Sequence, residues 1–223
     1  MTPEDTVVLE QRMRRTSGLL LMLEFGRLVH TASPFAVESD LMSGASEKRR
    51  LEFYSGRHLA RKALQRAGAT PAGIARGHLA NPIWPSGYVG SITHGNQWVA
   101  AVAVKNDKLY GVGIDLLEQP EAVTKDLSDV ILSRSERALL SSHFPGLPPV
   151  GLAFSFKESV IKTVSVMSGR FLDFLEISLT VSDGNLTATV NGISHPVACG
   201  AYVTSVGILT FSYLLTDSYA PAN

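Results

Sequence analysis

The sequence predicts an α+β protein of two similar subdomains, residues 1–112 and 113–223, each with helices on a small antiparallel sheet. Two observations predict it. One long helical pattern precedes a hairpin in the first half, and two helical patterns precede a run of turn-punctuated strands in the second. Separately, formal charge changes sign between the halves: residues 1–112 hold 14 Lys+Arg and 9 Asp+Glu, net +5, whereas residues 113–223 hold 6 and 11, net −5. That division suits a phosphate-rich ligand between arginines and a carboxylate-bound metal, and equally two halves that attract each other. The whole chain of 223 residues is neutral, and it is 45% hydrophobic and 18% charged. That composition belongs to a globular protein and points away from a general nucleic-acid or membrane binder.

The apolar run Leu19 to Leu23 follows Arg14 and Arg15 and is closed by Glu24. It is too short for a signal-peptide core or a membrane span. With one cysteine, Cys199, there is no disulfide framework, so a soluble cytoplasmic protein is expected. Only the two chain ends look loose.

Ser46 to Ala67 reads as a helix with Ser46 as N-cap, Glu47 in the first turn and Gly68 as the stop. Leu51, Tyr54, Leu59, Ala63 and Leu64 form its apolar set, and Arg50, Arg57 and Arg61 lie on the other face. Gly56 inside the helix costs about 1 kcal/mol relative to alanine, which points to something packed against the backbone there. Beyond a Gly- and Pro-rich loop, Tyr88–Thr93 and Trp98–Val104 read as a hairpin joined through His94-Gly95-Asn96-Gln97. Asn106-Asp107 then turns into a third strand, Leu109–Leu116, which delivers Asp115 at its end.

In the second half, Ser133-Arg134-Ser135-Glu136 is a capping-box pattern that opens one helix. A longer helix runs from about Leu152 to Met167. On it Ser155, Glu158 and Lys162 share one face, while Leu152, Phe156, Val160, Thr163 and Met167 share another. From Leu175 onward, Asp183-Gly184 and Asn191-Gly192 punctuate an antiparallel meander.

Asp115, Glu118 and Glu158 are the acids that could carry chemistry. Magnesium is held by one or two carboxylates plus water and substrate phosphate oxygens, so a strand end and a helix could supply enough ligands. On spacing alone, a solvated face with an i,i+4 Glu158–Lys162 pair is the stronger reading.

Four blocks change that weighing. Gly111-Val-Gly-Ile-Asp115 and Phe154-Ser-Phe-Lys-Glu-Ser159 with Lys162 closely resemble the two signature blocks of 4'-phosphopantetheinyl transferases. Ser91-Ile92-Thr93-His94, preceded by Trp84-Pro85-Ser86-Gly87, resembles that family's strand-end histidine motif. The helix carrying Gly56-Arg57, Ala60-Arg61 and Ala63-Leu64 is similar to its coenzyme A-binding helix. The likeness is greatest to the branch of enterobactin synthetase component D, the mycobacterial enzymes and the Sfp-like type, and it runs in order from about Lys48 to Lys162.

The resemblance implies a fold of two related subdomains, with the active site in the cleft between them. It implies a Mg2+-dependent enzyme that moves the phosphopantetheine arm of coenzyme A onto a serine of an acyl, peptidyl or aryl carrier protein, in siderophore or other secondary-metabolite biosynthesis. Asp115 and Glu158 would bind the metal, Glu158 would serve as base directly or through water, and Lys162 would sit near the reacting hydroxyl or the leaving phosphate. Arg49, Arg57, Arg61, Arg76 and His94 would hold coenzyme A phosphates, with Arg50 as a further candidate. Trp84 either walls the coenzyme pocket or is a buried indole. Lys157, unassigned, is expected in solvent or near the carrier protein. A monomer is expected.

One departure concerns the metal. Family members often carry an acid two positions after the first, and here that position is Leu117, with the acid one residue later at Glu118. Glu118 could replace it only if a bulge turned the chain back, since residues three apart on a strand face opposite ways. The alternative reading is a coenzyme A or carrier-protein binding module that has lost turnover, although such a module has little use for Glu158 and Lys162. A nucleotide hydrolase is disfavoured because the chain has no P-loop.

Overall fold

The computed structural model describes residues 1–122 and 128–216. The chain divides into two compact units, Met1–Leu109 and Tyr110–Asn223, each a mixture of helices and antiparallel strands. The division falls after Leu109 and not after Val112, because the strand that starts at Leu109 hydrogen-bonds within the second unit's sheet.

In the first unit the order is α1 (Pro3–Ser17), β1 (Met22–Arg27), α2 (Ala36–Asp40), α3 (Glu47–Arg66), β2 (Ala75–Arg76), β3 (Pro82–Ile83), β4 (Tyr88–His94) and β5 (Trp98–Lys105). The expected hairpin is β4–β5, paired from Tyr88↔Lys105 to His94↔Val99, and β1 adds antiparallel to the other edge of β5. The N-terminal end is a capped helix, contrary to expectation. The Thr2 side chain accepts from the Asp5 backbone N–H while Asp5 accepts from that of Thr2, Pro3 opens the first turn, and Gly18 closes the helix at φ 71°. The C-terminal end, from residue 217, lies outside the described residues.

Helix α3 starts at Ser46, whose hydroxyl accepts from the Arg49 N–H, and stops before Gly68 at φ 93°. Its small and branched side chains Leu59, Ala60, Ala63 and Leu64 pack with Ile74, Val99, Ala101 and Ala103 to form the unit's core. Small residues let the helix lie close to the strands. At Gly56 a Cβ would come within 2.7 Å of Ile92 Cγ2 on β4, which is the close packing that glycine inside a helix implied.

The second unit contains β6 (Leu109–Leu117), α4 (Ser128–Ile131), α5 (Arg134–His143), α6 (Pro149–Ser168), β7 (Ile177–Ser182), β8 (Asn185–Val190), β9 (Ile193–Thr204) and β10 (Gly207–Leu215). Strands β7 to β10 form the expected meander, with Asp183 and Gly184 at φ 51° and 77° and Gly192 at φ 86° in the turns. The sheet order is β6-β10-β9-β8-β7, so β6 pairs with the last described strand. Helix α5 begins at the Ser133/Glu136 capping box. On α6, Leu152, Phe156, Val160 and Val164 are fully buried against Leu179, Leu186, Val197 and Ile208. Met167, expected on that face, is 40% exposed at the end of α6.

Lys157 also departs from expectation. It is 1% exposed, its Nζ pairs with Glu136 of α5 at 2.9 Å, and it donates to the carbonyl of Phe174 at 3.0 Å. Glu136 accepts in turn from the Leu179 N–H at 3.0 Å. Burying this ammonium is tolerable only because carboxylate and carbonyl replace its water. The pair ties α5, α6 and β7 together. Among the described residues no helix is long and apolar enough to cross a membrane.

Candidate active site

The chemistry-bearing residues fall into one group in each unit. In the second unit, Asp115 stands near the end of β6, and α6 lies against that strand because two glycines allow it: a Cβ at Gly111 would meet the Thr163 carbonyl at 2.0 Å, and one at Gly113 the Ser159 carbonyl at 1.9 Å. The glycines of the Gly111–Asp115 block are therefore packing requirements. They bring α6 close enough for Lys162 Nζ to donate to Asp115 Oδ1 at 2.7 Å and to the Ile114 carbonyl at 3.1 Å. Ser155 Oγ donates to Asp115 Oδ2 at 2.9 Å. Asp115 is buried with both oxygens held.

Glu158 is half-buried on the same side of α6. Desolvation pushes its carboxyl above the ordinary range, Lys162 pulls it back, and the negative charge of Asp115 raises it again. The two carboxylates are thus close enough to repel. Two acids with a single lysine beside them suit a hard divalent cation, which needs one or two carboxylates when substrate oxygens complete its shell. On that ground the residues fit a magnesium ion held by Asp115 and Glu158.

Glu118 does not join them in the way the sequence left open. Among the described residues no three His, Cys, Asp or Glu side chains gather into a metal-holding group. Strand β6 continues through Leu117, which is 7% exposed, belongs to the unit's apolar core and touches the start of α6 near Gly151. Position 117 thus shares the α6-facing side of the strand with Asp115, and a leucine there extends the core. Glu118 is the first residue past the strand.

In the first unit, Arg57 is 6% exposed and does not stand on a solvated face with Arg50. Its guanidinium donates to the carbonyls of Ile74 at 3.0 Å and Ala75 at 3.3 Å and lies 4.7 Å from the Phe53 ring centre. Burial pulls its pKa down to about 10; Glu38 opposes this, and the charges of Arg49, Arg61 and Arg76 add to the lowering. Three further guanidinium groups therefore act on Arg57, a local excess of positive charge that favours an anion. Arg61 is held by the fully buried Glu38, which also accepts from the Ile74 N–H at 2.9 Å. Arg76, on β2, is exposed. Arg49 and His94 both face Glu52, at 3.5 and 3.8 Å, and Arg50 donates to the Ala45 carbonyl. Trp84 packs half-buried against the core and over Gly90.

Glu38 and Thr210 were not singled out in the sequence, and Glu136 was read only as part of a helix cap. Their long-range partners are distant along the chain, and no local pattern marks such a pairing.

One α+β unit carries an arginine cluster and the other a carboxylate pair with a lysine. The comparisons give the family. The family model described as the 4'-phosphopantetheinyl transferase N-terminal domain matches residues 37–104, and that of the 4'-phosphopantetheinyl transferase superfamily matches residues 111–208. The chain is 33% identical over 160 residues to 4'-phosphopantetheinyl transferase Npt of Nocardia iowensis, covering 71% of each chain. It is 31% identical over 179 residues to 4'-phosphopantetheinyl transferase PptT of Mycobacterium tuberculosis, covering 80% of this chain and 78% of the relative. With enterobactin synthase component D of Salmonella typhi it shares 36% over 128 residues, 56% of this chain and 53% of that one. This chain belongs to the 4'-phosphopantetheinyl transferase superfamily and is a transferase by class.

Proposed function

We propose that the protein transfers the 4'-phosphopantetheine group of coenzyme A to a serine hydroxyl of an apo acyl, peptidyl or aryl carrier protein. The observation that carries this reading is the Lys162 ammonium held on Asp115 at 2.7 Å, with Glu158 half-buried one turn before Lys162 on the same helix. In the reaction the serine oxygen forms a bond to the β-phosphorus, the bond from that phosphorus to the bridging oxygen breaks, and adenosine 3',5'-bisphosphate leaves. Glu158 takes the serine proton, directly or through a water. Lys162, half-buried, offers positive charge to the oxygens of the transferring group. A bound Mg2+, held by Asp115 and Glu158, would neutralise pyrophosphate charge and favour the leaving group.

Arg57, Arg49, Arg61, Arg76 and His94 take the phosphates of coenzyme A in this reading. Arg57 and Arg61 are already anchored, to carbonyls and to Glu38, so they order the ligand at little entropic cost. Glu118 serves the metal only through water. Carrier proteins of siderophore or other secondary-metabolite assembly are the proposed partners, and a cytoplasmic monomer is the proposed form.

Intact mass of an apo carrier protein after incubation with the protein, coenzyme A and Mg2+ tests the proposal. A phosphopantetheine mass gain that vanishes with Asp115→Ala and Glu158→Ala is expected. No gain across acyl, peptidyl and aryl carrier proteins, with coenzyme A still bound, would overturn transfer in favour of a binding module.

A further inference from the structure

We infer that Ser155, backed by Thr210, is a positioning residue that locks the Asp115 carboxylate in its metal-binding orientation. The inference rests on the proposed transferase reading for the role of Asp115. It starts from an oddity of packing. The side of α6 that faces β6 and β10 is a stripe of hydroxyl residues four apart, Ser155, Ser159 and Thr163, all at most 2% exposed, and across from it Thr210 and Ser212 of β10 are fully buried. Apolar residues of similar size would pack there without the cost of burying hydroxyls.

The hydrogen bonds say what the hydroxyls do. Lower in the seam, Thr163 Oγ1 and Ser212 Oγ lie 2.6 Å apart and Thr163 also reaches the Ser159 carbonyl, so that pair is satisfied among its neighbours. One step up, Ser155 and Thr210 hydroxyls lie 2.9 Å apart, but the chain ends on a carboxylate: Ser155 Oγ is 2.9 Å from Asp115 Oδ2. Each hydroxyl has one proton. With that of Ser155 committed to Asp115, the Thr210 proton goes to Ser155 Oγ or to the carbonyls of Ser155, at 2.9 Å, or Asp115, at 3.4 Å. A Thr210 proton given to Ser155 Oγ leaves the Ser155 proton for Asp115 Oδ2, and this buried network holds the Ser155 rotamer.

Lys162 holds the other oxygen of Asp115. One donor on each oxygen sets the plane of the carboxylate and leaves lone pairs on both for a cation. Such outer partners commonly cost ten- to a hundredfold in metal affinity when removed.

The test uses the full-length protein and Mn2+ as the probe, followed by electron paramagnetic resonance with and without coenzyme A, beside denaturation midpoints and transfer kinetics. Ser155→Ala is expected to weaken Mn2+ binding about tenfold, with kcat partly recovered at saturating metal. Thr210→Val is expected to do so less, and Thr210→Ser to restore wild-type binding. Ser212→Ala, in the same seam but away from Asp115, should lower stability and leave Mn2+ binding unchanged. Wild-type Mn2+ affinity in Ser155→Ala, or an equal loss in Ser212→Ala, would overturn the positioning role. Failure of the wild type to modify any carrier protein would overturn the transferase reading alone, since the Mn2+ titration reads the hold on Asp115 without turnover.

Discussion

At the scale of single residues, the carboxylate pair has a measurable thermodynamic consequence. Glu158 has a folded-state pKa above its ordinary value because burial, and then Asp115, penalise its charge more than Lys162 repays. A carboxyl raised in this way binds more protons folded than unfolded, so its ionisation costs stability as pH rises through and above the ordinary carboxylate range. Glu158→Gln is therefore expected to abolish transfer and to raise the thermal midpoint of the metal-free protein more at pH 7 than at pH 4. A larger gain at pH 4 would sink that account. Arg57 gives a second outcome. Lysine is a point charge that cannot reproduce two carbonyl contacts and the stack on Phe53. Arg57→Lys should cost about 1–2 kcal/mol in urea denaturation, the scale of lost buried hydrogen bonds, and raise KM for coenzyme A more than it lowers kcat.

At the scale of elements, the decisive contact is α6 on β6. Glycines 111 and 113 do not serve a turn; they remove side chains from a place where helix carbonyls arrive. Gly113→Ala would drive a methyl into the Ser159 carbonyl, and the helix must shift to escape it. Such overpacking costs about 1–3 kcal/mol, and because Asp115 is reached from α6, the same substitution should cut metal affinity and transfer rate. Urea midpoint and Mn2+ titration read the two effects. The buried Lys157–Glu136 pair acts on the same helix from its other side. Breaking one partner strands the other charge, so Glu136→Gln should destabilise by about 3 kcal/mol or more, whereas breaking the exposed Arg170–Glu176 pair should cost far less.

At the scale of the whole molecule, the first unit carries the positive excess and the arginine cluster, so binding of a polyanionic ligand there should weaken steadily with ionic strength. Coenzyme A affinity measured by calorimetry at low and high NaCl is expected to fall, and salt-independent binding would argue against a role for the arginines. Helices α3, α5 and α6, the hairpin, the meander and the signature blocks were legible from the chain alone. Caps, Asp-Gly and Asn-Gly turns and the 3.6-residue period are local physics, and so the Ser46 and Ser133 starts and the turns at Asp183-Gly184 and Gly192 stood where expected. The first helix was missed although Thr2-Pro3-Glu4-Asp5 carries its signal. By itself the sequence determined the family, the α+β class and which acids, arginines and lysine to inspect. Only the tertiary structure decided that β6 pairs with β10, that Leu117 extends the core, that Lys157 is buried against Glu136, and that Ser155 and Thr210 hold Asp115. Each of these joins residues far apart in the chain, and burial of polar groups is settled by which partners the folded chain brings within hydrogen-bonding distance, a quantity that no local pattern encodes.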